Sequence, residues 1–194
     1  MGLSMQALPL SLQRYPVNQG NSKQRSGSCQ PLTILKCGYA KKKRDKMKLR
    51  LETLVEQSAD EVWAGFDEDL FRQLAPPFPK LKVLHFDGST TGKTVKAEIN
   101  FFLFKQIWES IIVDHGENED QIWFVDEGKQ LPFFLRSWRH EHLILRKNSR
   151  AVIVDQIEYR SPLRVLDWLL YPSMWLQFAY RKPIYRRYFA VNRA

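Results

Sequence analysis

The sequence predicts an α+β domain, a seven-stranded antiparallel sheet followed by one long C-terminal helix. Three patterns predict it. Residues 137–145 and 151–159 alternate in polarity around a polar turn at 146–150, as the two strands of a hairpin do. Upstream, several further segments alternate or are rich in β-branched and aromatic residues. From 163 to 180 the period changes: Leu166, Leu169, Leu170, Met174 and Phe178 recur at helical spacing.

Each element has a local reason. A first strand is expected over 48–57, where Leu49, Leu51 and Val55 share a face. Ser58 followed by Glu61 forms a capping box that opens a short helix through Phe66. A second short helix over 68–74 stops at Ala75-Pro76-Pro77-Phe78-Pro79, because proline cannot continue a helix. Strand two covers 81–86. The glycines that follow, Gly88 and Gly92, are one residue too close for a phosphate-binding loop. The segment after Lys93 alternates rather than opening a helix, so a hairpin turn is expected and a nucleotide site is excluded. Strands three to five cover 94–104, 107–115 and 121–127. The run Phe101-Phe102-Leu103-Phe104 is expected to be covered on both faces. The acidic loop 116–120 lacks the ligand order of a calcium loop. In the long helix, Pro172 removes a backbone bond and is expected to bend it. Beyond Tyr180, Arg181, Lys182, Arg186 and Arg187 mix with Tyr185, Tyr188 and Phe189 in a basic, aromatic end.

The net charge of +9 is concentrated in one place. Residues 1–46 carry nine Lys and Arg against a single acid, Asp45, and leave the rest of the chain close to neutral. Rich in Ser, Gln, Pro and Gly and without period, this segment is expected to be a disordered basic extension. Met47 opens directly into the first strand and is the expected natural start, the alternative being a basic arm that meets an anionic surface. A domain over 47–194 follows. Its near neutrality argues against a specific nucleic-acid footprint. Both cysteines, Cys29 and Cys37, lie in the extension, so the domain needs no disulfide, has no thiol nucleophile, and suits a reducing, cytoplasmic setting. No run reaches the ~18 apolar residues of a membrane span.

The chemistry gathers on the hairpin. A symmetric closure makes paired residue numbers sum to about 297. Trp138 then opposes Tyr159, His140 opposes Ile157, His142 opposes Asp155, and Ile144 opposes Ile153. A His/Asp pair is thereby set into an apolar, aromatic face. Two readings of that face stay open: an ordinary core with satisfied polar groups, or the wall of a cavity. His140 and His142 with Asp155 have the chemistry of zinc ligands, but no fourth ligand is evident, and neither metal nor cofactor is expected. His142 oriented by Asp155 could act as a general base, with no Ser, Cys or Lys nucleophile beside it.

F-V-D-E-G, L-P-F, S-W-R-H-E-H-L and V-D-Q-I-E-Y-R-S-P, with M-K-L-R-L-E-T-L-V-E-Q-S-A-D-E-V-W at the start, give the chain a family likeness. From Met47 to about Arg187 it resembles the SRPBCC superfamily of START-like and pollen-allergen-like helix-grip proteins. The nearest branch is the bacterial ligand-binding, polyketide cyclase-like one. The resemblance implies a curved sheet wrapped around the C-terminal helix, two short helices supporting that helix, and a cavity between helix and sheet. A small hydrophobic or lipid-like ligand is expected there, against Trp138, His140, His142, Asp155, Ile157, Tyr159, Trp175 and Phe178. The alternatives are a cyclase or dehydratase using His142 and Asp155, and a peripheral lipid carrier touching membrane through the basic, aromatic C-terminus.

Overall fold

The computed structural model describes residues 44–190. Expectations for the basic extension, Cys29 and Cys37 included, lie outside the described residues except at Arg44, Asp45 and Lys46. These last residues lie against the domain. Arg44 pairs with the buried Asp167 at 3.2 Å, and Lys46 with Glu158 at 3.1 Å.

Seven strands form one antiparallel sheet in the order β1-β7-β6-β5-β4-β3-β2. They are β1 Met47–Val55, β2 Lys80–Phe86, β3 Thr94–Asn100, β4 Lys105–Glu117, β5 Gln121–Gln130, β6 Ser137–Lys147 and β7 Arg150–Arg160. Two short helices, α1 Ala59–Ala64 and α2 Glu68–Gln73, link β1 to β2, and α3 Arg164–Tyr188 closes the domain. The capping box forms as expected, with Ser58 accepting from the Glu61 amide and the Glu61 carboxylate accepting from the Ser58 amide. Among the described residues no helix is long and apolar enough to cross a membrane.

The β6–β7 register follows the symmetric closure, pairing Trp138 with Tyr159, His142 with Asp155 and Ile144 with Ile153. Pairing runs on to Lys147 and Arg150, so the turn is tighter than 146–150. Asn148 adopts φ 55°, a left-handed conformation that asparagine tolerates.

Two expectations are corrected. Strand β3 ends at Asn100, and the apolar run after it is a turn: Asn100 Oδ1 accepts from the Phe102 amide at 2.9 Å, and Phe102 takes φ 70°. Phe102 and Leu103 are 80% and 93% exposed, not covered. Helix α3 runs eight residues past Tyr180 and through Pro183. An interior proline costs ~3 kcal/mol. Beyond it Ile184, Tyr185 and Tyr188 are buried, and each such side chain contributes roughly 1.5–3 kcal/mol. Packing therefore outweighs the break.

The core is double. One cluster joins Val55, Val62, Leu70, Ile144 and Ile153 to Ile184, Tyr185 and Phe189 beneath the short helices. The other joins Leu49, Leu51, Trp138, Ile157 and Tyr159 to Met174 and Phe178. On β6 the residues between the clusters are His140 and His142; on β7 it is Asp155; on α3 it is Arg181. A polar layer thus crosses the domain between two apolar ones.

Candidate functional site

Strand alternation puts His140 and His142 on the inner face of β6, and the ladders bring carboxylates to them from both sides. Asp126 of β5 stands opposite His140, and Asp155 of β7 opposite His142. All four side chains are buried. The imidazole rings lie 3.6 Å apart centre to centre, and Phe124 stacks on His142 at 4.1 Å.

The hydrogen bonds do not follow the ladder. Asp155 Oδ1 bonds His140 Nε2 at 2.9 Å and stands 3.6 Å from His142 Nδ1. The cross-strand partner expected from sequence, His142, is therefore not the one that bonds. On the other side Asp126 Oδ1 accepts from Trp138 Nε1 at 3.1 Å. Asp126 Oδ2 lies 3.5 Å from both His140 Nδ1 and His142 Nε2. From above, α3 adds Arg181, whose guanidinium is 3.8 Å from Asp155 and 4.3 Å over the Phe178 ring.

Burial and neighbours set the charges. His142 is pushed down to about 4, first by burial and then by the adjacent His140, against the pull of Asp126 and Asp155. It is neutral at ordinary pH. Burial works against ionisation of Asp155, but the His140 hydrogen bond and the nearby His140 and Arg181 charges outweigh it and hold the group below the usual carboxylate range. Asp126 is also held low: burial opposes ionisation, and His142, His140 and the Trp138 donor outweigh it. Burial drives the Tyr185 hydroxyl up, with the Asp155 charge adding to it.

A cavity of about 400 Å³ opens onto this layer. Asp126, His140, His142, Ser110 and Arg181 line its polar end. Most of the remaining wall is apolar, with Val95, Ala97, Ile99, Trp108 and Ile112 from the sheet, Leu70 and Leu74 near α2, and Leu170, Met174 and Phe178 from α3, while Asp67, Ser89, Ser173 and Gln177 add further polar groups.

Of the residues expected at the wall, Trp138, His140, His142 and Phe178 line the cavity. Asp155, Ile157 and Tyr159 do not. They are buried behind it, and the Tyr159 hydroxyl donates to the Asp167 carbonyl at 2.8 Å. Trp175 is 48% exposed. The inward row of α3 is Leu170, Met174, Phe178, Arg181 and Tyr185, and one residue past Met174 turns about 100° away. Neither Asp126 nor Arg181 is among the residues expected at the wall, yet both line the cavity. That inward row, continued by steps of three and four from Phe178, was the signal for Arg181.

No protein-family model matches the chain, and no curated protein matches its sequence. Solved structures match its fold. The ZhuI aromatase/cyclase from Streptomyces sp. R1128 aligns over 71% of this chain and 90% of its own, at 11% identity and TM-score 0.55. The di-domain aromatase/cyclase StfQ of the steffimycin biosynthetic pathway aligns over 75% of this chain and 51% of its own, at 11% identity and TM-score 0.56. A norcoclaurine synthase point mutant from Thalictrum flavum, in complex with a transition-state analogue, aligns over 69% and 89%, at 15% identity and TM-score 0.51. At such identities the likeness is one of fold.

Proposed function

For a chain with the helix-grip fold of the SRPBCC superfamily, we propose that the cavity binds a small, largely apolar molecule carrying one polar or anionic end. The observation that carries this reading is the cavity's polarity. About 400 Å³ of mostly apolar wall ends in a few converging groups, Asp126, His140, His142, Ser110 and Arg181. That volume and that mix suit a small-molecule site. The apolar wall would supply affinity, and the polar end orientation. The fold neighbours, two aromatase/cyclases and a norcoclaurine synthase, act in small-molecule chemistry, which is consistent with the reading.

Native mass spectrometry of freshly purified protein tests it, looking for a co-purified small molecule. A solvatochromic dye gives the second arm. Ala97 is buried and lines the cavity, so Ala97→Trp should fill it and abolish dye binding while the circular dichroism stays native. Unchanged dye binding in a folded Ala97→Trp protein would refute the cavity as the site.

A second reading, exchange of the ligand with a lipid surface, is favoured by the rim. Phe78, Phe101, Phe104 and Phe134 line the cavity, and next to them Phe102, Leu103 and Phe133 are exposed. Phe102 stacks on Phe78, and Phe133 packs on Phe104. Phe102→Ser with Leu103→Ser should abolish sedimentation with lipid vesicles and leave dye binding in place. As for catalysis, the neutral His142 beside Asp126 is the base that faces the cavity; Asp155 bonds His140 and lies behind it.

A further inference from the structure

We propose that Asp126, His140 and His142 form a site for a divalent transition-metal ion at the polar end of the cavity, with Asp155 and Trp138 fixing the orientation of the ligands. It rests on the cavity reading only for what the ion would meet, not for the binding of the ion itself.

The spacing is the first argument. Asp126 Oδ2 is 3.5 Å from His140 Nδ1 and 3.5 Å from His142 Nε2, and the donor atoms of the three residues all lie within 4.8 Å of one another. A good N–H···O bond is ~2.9 Å, so these contacts are long for hydrogen bonds. Two donors bound at ~2.0–2.2 Å to one ion at tetrahedral angles stand about 3.4 Å apart. The two separations from Asp126 are those of coordination edges.

The outer contacts are the second argument. Metal-bound histidines typically donate their other ring N–H to a carboxylate or carbonyl, which fixes the tautomer. His140 can do this through Nε2, 2.9 Å from Asp155, which leaves Nδ1 directed at Asp126 and available to an ion. Trp138 Nε1 holds Asp126 Oδ1 at 3.1 Å and leaves Oδ2 toward the histidines. His142 Nδ1 is buried without a hydrogen-bond partner among the described residues, 3.6 Å from Asp155, while Nε2 faces Asp126.

Charge is the third. Two carboxylates are buried here; Asp155 has the His140 bond and Arg181 at 3.8 Å, whereas the short hydrogen bond to Asp126 comes from the neutral Trp138 N–H. A buried carboxylate needs a cation or strong donors. A divalent ion between Asp126 and the imidazoles supplies that balance.

An N₂O donor set suits Zn²⁺, Co²⁺ or Fe²⁺ rather than Mg²⁺ or Ca²⁺, which prefer all-oxygen shells. Because Asp126, His140 and His142 line the cavity, the remaining coordination positions face its interior. The ligand class is then an apolar molecule whose polar end is an oxygen donor, such as a carboxylate, enolate or catecholate.

The test uses the full chain carrying Cys29→Ala and Cys37→Ala, which removes the thiols of the extension as competitors. After chelator treatment it is titrated with Co²⁺ and read by visible absorption, then with Zn²⁺ against a chromogenic chelator. The expected result is one ion per chain with intense tetrahedral or five-coordinate Co²⁺ bands, lost in Asp126→Asn and in His140→Ala. Asp155→Asn should weaken binding about 10- to 100-fold. His85→Ala with His115→Ala, both on the exterior, should change nothing. Imidazole ¹⁵N spectra of the unsubstituted site give a readout that needs no folded variant: Zn²⁺ should shift His140 Nδ1 and His142 Nε2 and leave His85 and His115 in place. Absence of a stoichiometric Co²⁺ complex, or Zn²⁺ shifts confined to His85 and His115, would overturn the proposal. Dye binding by the metal-free protein is scored separately. Dye without metal refutes the metal site alone, and metal without dye refutes the cavity reading alone.

Discussion

His140 and His142 both stand between the two carboxylates, but only His140 makes a short bond, 2.9 Å to Asp155, so the energetic weight of the polar layer falls on it. Removing one member of a buried pair leaves the other uncompensated, typically at ~3–5 kcal/mol. His140→Ala should therefore lower the stability of the metal-free protein by about 3 kcal/mol or more, and by more than His142→Ala does, because His140 holds the 2.9 Å bond to Asp155. Asp155→Asn keeps the shape and should cost less than Asp155→Ala. Urea denaturation of the four variants checks the order; a larger loss for His142→Ala would contradict it. The same layer dictates a pH response. The folded value for His142 is depressed to about 4, so the unfolded chain takes up that proton first as the pH falls. Stability should be full above 6.5 and decline between 6.5 and about 4. Asp126 and Asp155, also depressed, extend the loss below 3.8, and urea midpoints across this range would record it. From sequence, alternation and a symmetric turn were enough to place His142 opposite Asp155. Which imidazole bonds which oxygen depends on side-chain rotation and on Asp126 from a third strand. Neither is written in a two-residue period.

At the scale of elements, legibility tracked periodicity. The strands, the capping box and the start of α3 follow from local rules, and their observed bounds differ by a few residues. The failures came where tertiary packing decides. Nothing local says that Phe102 and Leu103 turn outward or that α3 survives Pro183. Burial of Tyr185, Tyr188 and Phe189 makes that last turn worth keeping. It also explains Gly65, the C-cap of α1: a Cβ there would fall 2.7 Å from the Phe189 ring. Gly65→Ala should displace Phe189 and cost roughly 1–3 kcal/mol, as overpacking does. Denaturant midpoints of Gly65→Ala alone and with Phe189→Leu check this, since the second change should recover part of the loss. The polar layer also guards register. A two-residue slip of β7 on β6 keeps every side chain on its own face, so apolarity alone does not forbid it. In one direction that slip sets Asp155 against Ile144, and the buried carboxylate forbids it.

For the whole molecule, charge was the most legible property and ligand identity the least, because apolar walls specify size and shape rather than a name. Upstream of Met47, Arg44 pairs with the buried Asp167 at 3.2 Å and donates to the Ser161 carbonyl. Removal of residues 1–43 should leave the thermal midpoint nearly unchanged and sharply reduce heparin retention, since most of the +9 charge goes with them. Removal of residues 1–46 should lower the midpoint measurably, and identical scanning-calorimetry traces for the two truncations would show that Arg44 is dispensable. The cavity has a consequence of its own for the binding proposed above. Helix α3 rests on β1 and β7, whereas β2, β3 and β4 face the hollow. One flank of the sheet packs on the long helix, and the other borders the cavity. Under the binding proposed above, bulkier molecules would be fitted by displacing that wall rather than by repacking the helix-covered side, with the polar groups of β5 and β6 held in place.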